Sequence, residues 1–499
     1  MQRNEMNARA SLKKLLALDQ QQQRSVVVVG DFLIDEYYDV KVDRISPEFP
    51  VPIMRTEATR PATGPRRAPG GAGNVCQQLK HFNTTAQLYT AMDGHGSEVA
   101  AYAGISIPSH HDCYWPTPVK RRFFQGDQPL ARWDIEADPK RLREDAAYKH
   151  VREKIVEALG QRMAADPPDV VVFSDYDKGL FDASTAMQMV KMCREFGVPT
   201  VVDPKRDYRP WSGCTVFKPN MGEAAVMVAQ IGAEGHPATV LSNAVNAEAV
   251  IMTNGGDGMD GHIRTGGPSS YAVSELYFFR IEEKLAPAKS VIGAGDAFAA
   301  VLGLGMAHGM PVHEAAEAAF LAGACYVGHM RNRPLCPLEL RCKVDPVGGK
   351  ICDRAELPRL LASLRFGGKT IAFTNGCFDL LHEGHLSTLN YAKAQADLLI
   401  VGLNSDASVS RLKGEGRPVR KLRQRAETLA GLQCVDLVVP FDEDWPADLI
   451  KGIYPDVLVK GQDYRGKQIA GASACRRVAL APTVPGTSTT GIVQNIHKE

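Results

Sequence analysis

Two histidines three residues apart, His382 and His385, end the run Phe373-Thr-Asn-Gly-Cys-Phe-Asp-Leu-Leu-His-Glu-Gly-His385. The run reads as a strand end, a turn containing Gly376, and a helix start. Backbone N–H groups and the positive end of a helix would then meet at the carboxyl edge of a strand, an arrangement suited to phosphate. His382 and His385 share one helix face and can donate to phosphorus-bound oxygens as charge builds in a transition state. Thr374, Asn375, Gly376 and Phe378 belong to the same nucleotide-facing turn, and Gly384 lets a nucleotide lie against the backbone. A zinc pair would want a third ligand, which the local sequence does not supply. The chemistry expected is transfer of a nucleotidyl group from a nucleoside triphosphate to a phosphorylated small molecule, with no protein-held metal.

A second constellation lies upstream. In Val291-Ile-Gly-Ala-Gly-Asp-Ala-Phe298 the N–H groups of Gly293, Ala294 and Gly295 can form an anion hole for a transferring phosphoryl group. Asp296 is placed to take a proton from an attacking hydroxyl. Pro69-Gly-Gly-Ala-Gly-Asn-Val75 is a glycine-rich turn offering Gly70, Gly71 and Asn74, and Gly30-Asp-Phe-Leu-Ile-Asp35 puts Asp31 and Asp35 just beyond a strand. Such groups suit sugar hydroxyls. The bland alternatives are loop capping for Asp31 and Asp35, and dipole compensation at a helix start for Glu223. Lys120, Arg121, Arg122, Arg132 and Lys205 could meet a phosphate already on the sugar, but each reads first as a solvated charge and stays outside the expected site.

The elements that must position these groups alternate between apolar strand-like runs and longer amphipathic stretches. Val26 to Val29, Val170 to Phe173, Thr200 to Val202 and Val250 to Thr253 are the clearest strands of a parallel sheet covered by helices. The proline- and threonine-bearing stretch Val51 to Arg67 fits less well and reads as an edge strand or a lid. Residues 1–24 read as a loosely attached extension. The first domain is set at 25–335, a Pro-, Arg- and Cys-rich linker at 336–368, and a second α/β domain at 369–499, with strands at Thr370 to Phe373, Leu398 to Val401 and Val457 to Val459. Fifty-eight basic against fifty-seven acidic residues leave a net charge of +1, which offers no footprint for nucleic acid or a membrane surface. The apolar runs are strand-sized and the polar N-terminus lacks a signal-peptide core, so a cytosolic protein is expected. Eleven scattered cysteines read as reduced thiols.

The C-terminal motif resembles the HxGH nucleotidyltransferase superfamily. That resemblance implies triphosphate contacts for Lys413, in Asn404-Ser-Asp-Ala-Ser-Val-Ser-Arg-Leu-Lys413, and for Arg425. It implies a substrate-side loop at Lys460-Gly-Gln-Asp-Tyr464, and a second nucleotide loop at Ser488, Thr489 and Thr490. From Ser25 to Val327 the chain resembles the ribokinase-like (PfkB) carbohydrate kinases. Ser174-Asp-Tyr-Asp-Lys-Gly179, Val202-Asp-Pro-Lys205, Lys218-Pro-Asn-Met-Gly-Glu223 and Thr253-Asn-Gly-Gly-Asp-Gly258 add to the match. The resemblance implies that Asp31, Asp35, Gly70, Gly71 and Asn74 face the sugar and that Asp296 is the base. Asn220, Met221, Gly222, Glu223, Gly255 and Gly258 would lie beside ATP and its Mg2+. Ile292 stands where that family usually has threonine.

The order of the two domains resembles the bifunctional heptose enzymes of bacterial lipopolysaccharide synthesis. This implies a ribokinase-like α/β domain followed by a Rossmann-like HxGH domain, both using ATP. The first would phosphorylate heptose 7-phosphate at O1, and the second would transfer AMP from ATP to heptose 1-phosphate. A homodimer is the expected assembly. Two alternatives remain at this stage: a kinase fused to a cytidylyltransferase for a polyol phosphate, and a chain in which one domain is non-catalytic.

Overall fold

The computed structural model describes residues 7–56, 65–108, 111–112, 114–264, 274–279, 290–329, 331–366 and 368–482. It divides into two compact units, Met1–Leu335 and Cys336–Glu499.

In the first unit an eight-stranded sheet runs in the spatial order Ser274–Phe279, Met259–Arg264, Ala249–Thr253, Val216–Phe217, Thr200–Asp203, Val170–Ser174, Arg24–Gly30, Thr84–Tyr89. The six strands from Thr84–Tyr89 across to Ala249–Thr253 are parallel and the last two antiparallel. Val26 to Val29 and Val170 to Phe173 are fully buried, as uninterrupted apolar runs become when helices cover both faces of a parallel sheet. Because the strands are parallel, their carboxyl ends share one edge. Asp31, Asp175, Asp203, Lys218 and Asn254 therefore all come to that edge, where α/β sheets bind ligands.

A separate four-stranded sheet, ordered Gln128–Ile135, Val119–Gln125, Phe32–Asp39, Arg66–Gly71, carries Asp35, Lys120, Arg122 and Gly70. The stretch expected as an edge strand or lid supplies two strands: Pro52–Arg55, paired with Lys41–Ile45, and Arg66–Gly71. Residues 57–64 between them lie outside the described residues.

The N-terminal segment is not loosely attached. Its helix Ala8–Gln21 buries Leu12, Leu15 and Leu16 at helical spacing and packs on the helix Val312–Tyr326. Ser11 Oγ donates to Glu317 Oε2 at 2.5 Å, and Asp19 Oδ1 accepts from the Asn83 N–H at 2.9 Å.

The second unit is a five-stranded, all-parallel sheet ordered Leu437–Phe441, Leu398–Asn404, Ile371–Gly376, Val457–Gly461, Arg477–Ala481. The chain builds outward from Ile371–Gly376 in one direction, then returns to add strands on its other side. A reversal of this kind is where α/β sheets place their ligand crevice, here at the carboxyl ends of Ile371–Gly376 and Val457–Gly461.

Residues 336–368 belong to this unit and are not a linker. Cys336, Leu338, Leu357, Leu360, Leu361 and Leu364 share a core with Ile371, Phe373, Ile400 and Leu458. Most of these apolar residues sit on two short helices, Pro337–Val344 and Leu357–Phe366, and the segment between them bridges the strand Leu437–Phe441 at Ile351–Val438, so no long period marks them in the sequence. No helix of the described residues is long and apolar enough to cross a membrane.

Candidate functional sites

The helix Ala294–Ala307 begins at Gly293, whose φ of 76° is the left-handed conformation that glycine adopts freely. A Cβ there would lie 2.6 Å from Asn74 Nδ2 and 2.7 Å from Tyr326 Oη, so the turn admits only glycine. Helix starts leave N–H groups without intrahelical acceptors, as an anion hole requires. Gly293 and Gly295 sit at this start, while the Ala294 N–H is turned to Val291 O at 3.3 Å.

Asp296 lies in the first turn and is 2% exposed. Both its oxygens are held: Tyr176 Oη donates to Oδ1 at 2.6 Å and Asn74 Nδ2 to Oδ2 at 2.7 Å. Asn74 is oriented in turn by Gln78, whose Nε2 donates to Asn74 Oδ1 at 2.7 Å. Burial pushes the Asp296 carboxyl up to about 7, with the two donors opposing and the charges of Asp203 and Asp35 adding to the rise. Burial and the neighbouring Asp296 push the Tyr176 phenol well up, so it stays a donor.

Asp35 pairs with Arg122 through Oδ1 and accepts from Asn332 Nδ2 at 2.6 Å through Oδ2. A Cβ on Gly70 would lie 2.7 Å from that same Oδ2, which explains the glycine. Gly71, at the end of this strand, takes a φ of 57°. Asp31 behaves differently from the sequence expectation. Its carboxylate accepts the N–H groups of Tyr176 at 2.8 Å, Lys178 at 3.1 Å and Leu180 at 3.2 Å, so it fastens the loop carrying Tyr176 instead of facing a sugar.

Asn220, expected beside ATP, caps the helix Met221–Ile231. Asn220 Oδ1 accepts the Glu223 N–H and Glu223 Oε2 accepts the Asn220 N–H, both at 2.9 Å. Met221 and Gly222 are the first residues of that helix. Glu223 Oε1 also takes Lys205 Nζ at 2.7 Å. A bridge between Asn220 and Thr253 sets the turn holding Gly255 (φ 54°) and Gly258 (φ 112°) beside this cap. Asp203, raised by burial, pairs with Lys218 at 3.0 Å.

In the second unit, His382 caps the helix Glu383–Lys393. Its ring stacks on His385 with centroids 3.8 Å apart, and the Phe378 ring centroid lies 5.1 Å from that of His385. Burial lowers both histidines, His385 to about 4 with help from His382 and Lys413, so both are neutral at pH 7. Phe378 takes a φ of 43°, unusual for a non-glycine residue, at the tight turn after the strand. Thr374, Asn375 and Gly376 end that strand. Lys413 is exposed, and its charge acts on Cys377, His382 and His385.

Arg425 does not offer its guanidinium to a nucleotide. It donates to Cys377 O, Asn404 O and Arg420 O at 2.7, 2.8 and 2.9 Å and pairs with Asp406 at 2.7 Å, tying three loops together. Ser488, Thr489 and Thr490 lie outside the described residues.

Sequence reasoning missed Tyr176, Asn332 and Asp379 as site-building residues. Tyr176 stood inside a quoted motif without a role, and Asp379, paired with Arg417 at 2.7 Å, lies between Phe378 and His382. Asn332 had no local signal.

The pfkB family carbohydrate kinase profile matches residues 158–336, and the cytidylyltransferase-like profile matches residues 373–475. Bifunctional protein HldE of Caulobacter vibrioides is 37% identical over 495 residues, which cover 95% of this chain and 97% of that one. Bifunctional protein HldE of Klebsiella pneumoniae strain 342 is 34% identical over 514 residues, covering 97% and 99%. Among solved structures, a crystal structure described as a possible 1-phosphofructokinase of Thermotoga maritima superposes with a TM-score of 0.50 at 15% identity. It covers 64% of this chain and 97% of its own, and shows the fold of the first unit. Full-length similarity at this level, together with the two matched profiles, makes the chain a member of the bifunctional HldE family, an enzyme that joins a carbohydrate kinase to a nucleotidyltransferase.

Proposed function

We propose that the first unit phosphorylates D-glycero-β-D-manno-heptose 7-phosphate at O1. The second unit, on this reading, transfers AMP from ATP to heptose 1-phosphate, releasing pyrophosphate and ADP-heptose for lipopolysaccharide core. The observation that carries the kinase half is Asp296, a buried carboxylate clamped by two donors at a helix start and poised near neutrality. A base with a pKa near the working pH is the most effective kind. Asp296 takes the proton of the anomeric hydroxyl, whose oxygen attacks the γ-phosphorus of ATP in line, and ADP leaves. N–H groups at the Gly293–Gly295 turn hold the developing charge.

A phosphorylated sugar needs cationic company. Lys120 lies 5.1 Å over the Tyr176 ring and feels Asp35, Arg132, Arg122 and Lys178, so positive charge gathers beside the base.

In the second unit the acceptor phosphate is already nucleophilic, and its oxygen attacks the α-phosphorus of ATP. Neutral His382 and His385 donate hydrogen bonds to the phosphoryl oxygens, and Lys413 supplies charge. Mg2+ typically takes one or two carboxylates plus phosphate oxygens and water. Asp203, which feels the charge of Glu223, and Glu223 itself provide such oxygens in the kinase unit. Bound there with ATP, Mg2+ would screen the phosphate charges. The reading includes a homodimer in the cytoplasm.

Removing the Tyr176 donor takes away a hydrogen bond that favours ionised Asp296. In wild type, kinase kcat/KM should fall as pH drops below about 7. In Tyr176→Phe that fall should begin at higher pH, so the loss is larger at pH 6 than at pH 8. Superimposable pH profiles would show that Tyr176 does not tune the base.

The reading is tested by pyrophosphate release from the full chain with Mg2+, supplied with ATP or CTP and with heptose 1-phosphate or glycerol 3-phosphate. Release with ATP and heptose 1-phosphate alone supports it. Release only with CTP, or only with glycerol 3-phosphate, overturns it.

A further inference from the structure

Asp35 and Asp296 stand on different elements of the first unit, the strand Phe32–Asp39 of the four-stranded sheet and the helix Ala294–Ala307. A row of polar side chains joins them. Asn332 Nδ2 donates to Asp35 Oδ2 at 2.6 Å, and Tyr326 Oη donates to Asn332 Oδ1 at 3.2 Å. Asn74 hydrogen-bonds the Tyr326 hydroxyl and, at 2.7 Å, donates to Asp296 Oδ2. Every side chain in the row is buried.

The direction of each bond is forced. Ionised carboxylates only accept, so both asparagines turn their amide nitrogens toward them. Asn74 Oδ1 already accepts from Gln78 Nε2 at 2.7 Å, which leaves the second N–H of Asn74 for the Tyr326 oxygen. Burial pushes the Tyr326 phenol up, so it keeps its proton and donates onward to Asn332. The Asn332 N–H donates to Tyr37 Oη at 3.1 Å, two residues from Asp35 on the same strand, so backbone and side chain of Asn332 are both tied there. A buried network satisfied in this way is rigid.

Gly293 lies over the middle of the row. A Cβ there would sit 2.6 Å from Asn74 Nδ2, 2.7 Å from Tyr326 Oη and 3.0 Å from Asn332 Oδ1. The turn expected to hold the transferring phosphoryl group therefore rests on the same atoms that run from the sugar-facing carboxylate to the base. Tyr326 and Asn332 both fall outside the sequence motifs that carry the family resemblance.

We propose that Tyr326 and Asn332 are positioning residues of the kinase unit, and that the row Asp35–Asn332–Tyr326–Asn74–Asp296 sets the place of the sugar relative to the base. This rests on Asp35 holding a sugar hydroxyl and Asp296 acting as base, and adds how the two are kept in register. With the row intact, the reacting hydroxyl meets Asp296 in line with the γ-phosphorus. With the row cut, base and anion hole persist but the sugar is displaced, and water enters. The water oxygen attacks the γ-phosphorus, its proton goes to Asp296, and ADP leaves, so inorganic phosphate forms in place of a sugar phosphate.

The test is the full chain carrying Tyr326→Phe, supplied with Mg2+, ATP and heptose 7-phosphate, with ADP and sugar bisphosphate counted in the same sample. Phenylalanine keeps the ring and removes only the hydroxyl, while Asp35 and Asp296 retain their direct partners. Phosphorylation of the sugar should slow about ten- to a hundredfold, the effect of a displacement on the order of 1 Å. The KM for ATP should stay within about twofold, since no lost contact is to the nucleotide. ADP should exceed bisphosphate, where wild type forms the two in equal amounts.

A general loss of structure lowers both products together. Equal amounts of ADP and bisphosphate from Tyr326→Phe, or a rate near that of wild type, would therefore overturn the proposal. If Tyr326→Phe does not fold, Asn332→Ala, which cuts the row one bond nearer the sugar, decides by the same ratio. Asp35→Asn tests the premise separately: a KM for the sugar that does not rise removes Asp35 from the sugar site and the row from its role. If wild type rejects heptose 7-phosphate, that substrate falls. The ratio is then measured with the sugar phosphate that wild type accepts in a screen of hexose and heptose phosphates, and decides the role of Tyr326 as before.

Discussion

Asp296→Asn should lower kinase turnover about 10²–10⁴-fold, the range a positioned general base contributes, while pyrophosphate release by the second unit stays at the wild-type rate. Asparagine matches aspartate in volume and fits a pocket where the native side chain is 2% exposed. Its Oδ1 can still accept from Tyr176, although its amide nitrogen cannot accept from Asn74 as Oδ2 does. Some stability is lost, but the larger loss is chemical, because the amide cannot take the hydroxyl proton. ADP formation with heptose 7-phosphate, set beside pyrophosphate release from the same preparation, separates the two. Kinase turnover within about tenfold of wild type would remove Asp296 from the role of base.

The second large effect belongs to the histidine pair. His382→Ala should lower nucleotidyl transfer about 10²–10³-fold, the cost typical of losing one donor to a developing oxyanion. Kinase activity should be unchanged. His385→Ala should cost at least as much, since His385 stacks on His382 at 3.8 Å and holds it in place. Groups that act as a unit are not additive, so the double variant should be only slightly worse than the poorer single one. Because burial holds His385 near 4, the wild-type rate should show no loss between pH 7 and pH 5 from this residue. Single variants that keep nucleotidyl transfer near the wild-type rate would move the chemistry elsewhere in the crevice.

Much of this was legible because the local sequence dictates it. Val26 to Val29 and Val170 to Phe173 could only be interior strands, and the glycines before Asp296 demand a tight turn at a helix start. The spacing of His382 and His385 on one turn of helix fixed their proximity. What stayed hidden depends on residues far apart in the chain. Tyr176 reaches Asp296 across 120 positions, and Asn332 reaches Asp35 across 297. Asp31 and Arg425 show the converse: motif position suggested ligand contacts, but backbone groups of neighbouring loops take up their hydrogen bonds. The N-terminal helix and residues 336–368 were misjudged for another reason. Their apolar residues are few and make sense only against the partner surface that buries them.

Phosphorus NMR of the purified chain shows whether it holds both a sugar-phosphate kinase and an adenylyltransferase of the same pathway. The sample would hold Mg2+, ATP and heptose 7-phosphate, with a heptose bisphosphate phosphatase added in a second stage. A bisphosphate is expected in the first stage, and ADP-heptose with pyrophosphate only after the phosphatase is present. A first stage with no anomeric phosphate signal, or a second stage ending at heptose 1-phosphate, would contradict it.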